Sequence, residues 1–69
     1  MMARIDSRTN RVEWADTEQM IEFYRYLDGE VSVYVEAEGV ARTEFVRINI
    51  PQADFEAVIR AVTDKIIES

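Results

Sequence analysis

The chain has no cysteine and no histidine, and it holds only two glycines and one proline in 69 residues. Without cysteine there is no disulfide framework, and without either residue the usual zinc-ligand sets are excluded, so no staple of either kind stabilises the fold. The missing histidine also removes the commonest general base, and Ser7, Ser32 and Ser69 stand in no nucleophile motif, so each reads as a turn or surface serine. Two glycines cannot build a phosphate-cradling loop, and Gly29 and Gly39 are each accounted for by a turn. No apolar run approaches the roughly 20 residues that span a bilayer, and no signal-peptide pattern opens the chain, so a cytoplasmic location is expected. The chain reads as a non-enzyme, with no catalytic residue, no metal and no cofactor expected.

What is present is acid and aromatic side chains. Fourteen acidic residues against eight basic ones give a net charge of −6 and a pI near 4.5. Such a field repels nucleic acid and anionic membranes and attracts basic protein surfaces. The charge is uneven, because Arg4, Arg8 and Arg11 face Asp6 alone at the N-terminal end. Residues 1–69 make one small domain, in a size range where folding buries only about 60% of the unfolded surface. Oligomerisation is the usual remedy, and a homodimer is expected.

The most regular pattern runs from Glu30 to Ile50, where apolar and polar residues alternate on either side of a turn at Glu38-Gly39-Val40-Ala41. A period of two marks strands with one buried face, so this stretch predicts a β-hairpin. Setting Ala37 opposite Arg42 pairs Val33 with Val46, Val31 with Ile48 and Tyr34 with Phe45. A register two residues away keeps the valines buried but separates the two aromatics, and the first register is preferred.

Met1 to Trp14 reads as a weaker hairpin around a turn at residues 6–10, or as one strand from Arg11 to Trp14. Asp16, with Gln19 three residues on, looks like a helix N-cap. Met20, Phe23, Tyr24 and Leu27 then fall on one helical stripe, predicting a helix from Thr17 to Leu27 that ends at Asp28-Gly29. Pro51 stops the second hairpin and opens a helix from Gln52 to Glu68, with Phe55, Val58, Ile59, Val62 and Ile66 as its apolar stripe. The expected fold is α+β in the order ββαββα, a small antiparallel sheet of three or four strands with two helices on one face. The expected core is Val12, Trp14, Val31, Val33, Val35, Val46, Ile48 and Ile50 together with the two helical stripes.

Glu36 with Glu38, or Glu18 with Glu22, suggests a hard-cation site or an acid–base pair, but neither has the spacing or glycine of a calcium loop, and a solvated acidic face is the better reading. Arg4, Arg8, Arg11 and Trp14, with Arg42, Arg47, Tyr34 and Phe45, resemble an arginine and aromatic surface that stacks single-stranded bases. The ending of strand, proline and helix is similar to that of compact single-strand-binding coactivator domains, which are basic where this chain is acidic. The aromatic surplus points instead to a protein interface, with Tyr34, Phe45 and Tyr26 as anchors and Glu36, Glu38 and Glu44 pairing with a partner's basic side chains.

In size, acidity and lack of catalytic residues the chain resembles small phage-encoded inhibitors of host proteins. That resemblance implies an inhibitor or anti-activator occluding the basic, nucleic-acid-binding face of a bacterial regulator or defence complex. The alternatives are a structural or adaptor subunit acting through self-assembly, and single-stranded nucleic-acid binding through the arginines and aromatics.

Overall fold

In the computed structural model, which describes residues 3–39 and 42–68 and their side chains as far as residue 65, alternation carries the chain through five strands before its one helix. The strands are β1 (Arg4–Arg8), β2 (Arg11–Ala15), β3 (Gln19–Arg25), β4 (Glu30–Glu38) and β5 (Thr43–Pro51), followed by α1 (Gln52–Glu68). They form one antiparallel sheet in the order β1-β2-β3-β4-β5, each strand beside its neighbour in sequence. The fold is therefore βββββα, and the expected ββαββα with two helices and three or four strands is incorrect.

The error lies in residues 17–27, where the chain forms β3 (Gln19–Arg25) and not a helix. Met20, Phe23 and Tyr24 satisfy a helical stripe only if Ile21 is ignored. As a strand the segment sends Ile21 and Phe23 to one face and Met20, Glu22 and Tyr24 to the other, and its β-branched and aromatic residues favour that geometry. Leu27, expected in the core, lies past the strand and is 100% exposed. Asp16 makes the local bonds of an N-cap, its Oδ1 accepting from the backbone N–H groups of Glu18 and Gln19 at 2.9 Å each. They close a tight turn between β2 and β3, where the Asp16 N–H also donates to the Gln19 carbonyl at 2.9 Å.

The N-terminal hairpin forms, with longer strands and a tighter turn than expected, Arg8 facing Arg11 across Thr9 and Asn10. Between β4 and β5 the register is the one separated by two residues from that preferred on sequence: Val33 faces Ile48, Val35 faces Val46, and Tyr34 faces Arg47. Tyr34 and Phe45 still meet on the diagonal, ring centroids 6.1 Å apart, so little aromatic contact is given up. The shift joins Val31 to Ile50 and Glu30 to Pro51, so β4 and β5 pair over their whole lengths. Val40 and Ala41 of the expected turn lie outside the described residues.

Two turns need glycine. Gly29, between β3 and β4, has φ +89°, in the left-handed region that side chains resist. A Cβ on Gly39 would lie 2.6 Å from the Arg42 carbonyl oxygen, to which the Gly39 N–H donates.

Pro51 ends the outer strand β5, where a missing donor costs nothing, and α1 begins at the next residue as expected. The Gln52 N–H donates to the Gly29 carbonyl at 2.8 Å, giving the helix start a partner in the β3–β4 turn. Phe55 packs on Phe23 with ring centroids 5.2 Å apart, so α1 covers the face that carries Phe23. The register places Val12, Trp14, Ile21, Phe23, Val33, Val35, Val46 and Ile48 on that face.

The core is thinner than the sequence leads one to expect. Among the described residues, the buried hydrophobic side chains are Ala15 and Val31. Val12, Val35, Val46 and Ile48 on the sheet, and Val58, Ile59 and Val62 on the helix, were expected inside and are exposed. Tyr24, also expected in the core, lies at the polar face and is exposed. Ile66 lies outside the described side chains. The Cα radius of gyration is 13.6 Å, where a compact chain of this length has about 11 Å.

Candidate functional site

The pleat separates the two faces of the sheet by chemistry. Of the charged strand residues only Arg25 and Glu44 share the helix-bearing face with the apolar rows; every other one lies on the opposite face. That polar face has two regions, an ion-paired centre and an acidic end.

At the centre, Arg11 reaches Asp6 at 3.1 Å, Glu13 at 3.5 Å and Glu22 at 3.5 Å. Arg8 pairs with Asp6 at 3.5 Å and Arg4 with Glu13 at 3.7 Å. Arg47 donates to the Ser32 hydroxyl at 2.7 Å, sits 4.8 Å from the Tyr34 ring centroid and approaches Glu22 at 4.0 Å. Ser32, which sequence reasoning set aside as a surface serine, is completely buried here. The register predicts this cross-strand lattice once known, because Asp6, Glu13, Glu22, Tyr34 and Arg47 form one row across all five strands. Sequence alone offers no signal for it, since the row joins residues up to 41 positions apart.

At the acidic end, the next row runs Arg4, Ala15, Met20, Glu36, Phe45. Glu13, Asp16, Glu18, Glu36 and Glu38 line one shallow groove there, with Arg4 as its cation. Phe45 stands beside Glu36 with 72% of its surface exposed. The Tyr34 hydroxyl donates to Glu36 at 2.8 Å, and this hydrogen bond is the first cause holding the tyrosine pKa above its ordinary value.

Four of the six residues expected to bind a partner, Tyr34, Phe45, Glu36 and Glu38, therefore share one face, Phe45, Glu36 and Glu38 at the acidic end and Tyr34 in the adjoining central row. Glu44 does not: it pairs with Ala37 and belongs to the opposite face. Tyr26 packs against Tyr24 with ring centroids 5.0 Å apart and the rings tilted by 60°, next to the β3–β4 turn at the far end of the strands. No group of three or more acidic side chains among the described residues is arranged to hold a metal ion. No helix among them is long and apolar enough to cross a membrane. Comparison with protein-family models, curated proteins and solved structures gives no match for this chain.

Asp16 offers a pH test of the acidic end. The hydrogen bond from the Glu18 backbone N–H, the first cause, and those from Gln19 hold its carboxyl below the ordinary aspartate range. A depressed folded-state pKa contributes stability in full above the unfolded value and loses it as pH falls through the folded value. Carboxyl-detected NMR titration should therefore give Asp16 a midpoint below that of an unstructured aspartate, and Asp16→Ala should flatten the acid limb of stability against pH. A midpoint at the ordinary value would mean that the turn does not persist in solution.

Proposed function

We propose that this chain is a non-enzymatic protein-binding module that takes up a basic surface of another protein through the acidic end of its polar face. The observation that carries the reading is the Phe45 ring, exposed on the same row as Glu36 and beside Glu38. An exposed rigid ring among carboxylates combines an apolar anchor with charges that steer a cationic partner. Occlusion of a nucleic-acid-binding face, as an inhibitor or anti-activator of a bacterial host regulator or defence complex in the cytoplasm, fits an acidic chain of this size. Nucleic-acid binding by the chain itself is disfavoured by the ion pairs of Arg4, Arg8, Arg11 and Arg47 with carboxylates, which compete with phosphate for those side chains. The self-assembling subunit draws on a separate observation, the open apolar face.

Capture from lysate with immobilised wild type and Phe45→Ala tests the reading. A stoichiometric protein should survive nuclease, be lost with rising salt, and bind the variant at least about 30-fold more weakly, as for an interface hot spot. The variant should fold normally, because a ring this exposed contributes little to stability. Retention that vanishes with nuclease, or that is indifferent to Phe45, rejects the proposal.

A further inference from the structure

We infer that a second copy of this chain covers the exposed apolar side chains of β4 and β5 on the helix-bearing face and the adjoining helix stripe, forming a two-fold homodimer. The surface comprises Val35, Val46 and Ile48 on the sheet with Val58, Ile59 and Val62 on α1; Val46 is 56% and Val62 50% exposed. The sheet side chains are the apolar half of an alternating pattern and those of α1 belong to its apolar stripe, and a single chain leaves both in water.

Area gives the first argument for a second copy. The chain exposes 5755 Å², where a compact monomer of its mass exposes about 4,500 Å². A contact that removed this whole-chain excess, about 1,300 Å² from each of two copies, would bury an area in the range of obligate homodimers. Charge gives the second. Two chains of net charge −6 repel through most of their surface. On the apolar sheet face, however, the strand charges are one cation, Arg25, and one anion, Glu44, so the sheet part of the contact brings no net charge together, while on α1 Arg60 and Lys65 offset two of the carboxylates Asp54, Glu56 and Asp64. A highly charged partner of another kind finds little on this face to pair with. An isologous contact also lets each helix stripe and each sheet face be covered by the same operation. The inference does not rest on the proposed acidic binding end, which lies on the opposite face and stays open in such a dimer.

Sedimentation equilibrium and sizing with light scattering test it directly. Wild type should have twice the chain mass at about 0.1 mM. Val46→Asp and Val62→Asp should each weaken association at least about 30-fold, and Phe45→Asp on the other face should leave it unchanged. Should the aspartate variants not fold, methyl NMR of wild type with a soluble gadolinium chelate decides. The methyls of Val46, Ile48, Val58 and Val62 should escape broadening. A single-chain mass, broadened methyls in a dimer joined through the bare edge of β5, or a dimer split by Phe45→Asp and not by Val46→Asp would each overturn the inference.

Discussion

The thermal midpoint of this protein should rise by about 5 °C for each tenfold increase in chain concentration. The expectation follows from the thin core. With Ala15 and Val31 as the buried hydrophobic side chains among the described residues, one chain gains little from burial to set against the conformational entropy of its ordered backbone. If folding and pairing are one step, unfolding releases two chains and mass action couples stability to concentration. An unfolding entropy of about 2.1 cal/mol/K per residue gives about 290 cal/mol/K for a pair of 69-residue chains. A tenfold change in concentration is worth about 1.4 kcal/mol, which sets the slope. Calorimetry over two decades of concentration measures it. A constant midpoint would identify the single chain as the folding unit and require that the open apolar rows be tolerated in water.

The second large effect is expected from Phe55→Ala. The Phe55 ring packs on Phe23 at 5.2 Å and 58°, joining the first turns of α1 to β3, while the helix otherwise meets β4 and β5. Both rings are half-buried, so the loss should be about 2 to 3 kcal/mol, below the 3 to 5 of a fully buried ring. Phe23→Ala should cost a similar amount. The double variant should fall short of the sum by about 1 kcal/mol, the coupling of the pair. Denaturant unfolding followed by circular dichroism gives all three values. Helical signal should be lost first, because a 17-residue helix has marginal stability without a packed face. Additive losses, or a Phe55→Ala protein as stable as wild type, would show that the helix is held by something other than this contact. Phe45→Ala, with its exposed ring, is the control and should stay within about 0.5 kcal/mol.

The segments that the sequence made legible are those with one unambiguous period. The alternation in β4 and β5 and the spacing of Phe55, Val58, Ile59 and Val62 in α1 each have one geometrical solution, and both elements form where expected. Residues 17–27 are different because Met20, Ile21, Phe23 and Tyr24 are apolar or aromatic in a near-continuous run, which a helix and a two-sided strand fit almost equally. Asp16 and Gly29 did not break the tie, since the same hydrogen bonds and the same positive φ serve helix ends and hairpin turns alike. The β4–β5 register was ambiguous by two residues for a related reason: either choice keeps every side chain on its own face, and pairing along the full strands outweighed a direct Tyr34–Phe45 match.

For the candidate site, Tyr34, Phe45, Glu36 and Glu38 were recoverable from the hairpin alone, because residues of one strand parity share a face under either register. Glu44 was misplaced because it was grouped by its charge and not by its parity. The Arg11 lattice and the buried Ser32 depend on β1, β2 and β3 lying side by side, which local pattern does not encode.

Composition and alternation by themselves determined a small acidic chain without cysteine or histidine, with a β4–β5 hairpin and a C-terminal helix, because these follow from residue type and from spacing within a few positions. Only the tertiary structure decided that the third segment is a strand and that five strands stand in sequence order. It also decided that the helix covers part of one face and leaves an apolar surface open. Those outcomes turn on which distant backbone groups find partners and how much apolar area one helix can cover, quantities set by the assembled sheet and not by any stretch of the chain.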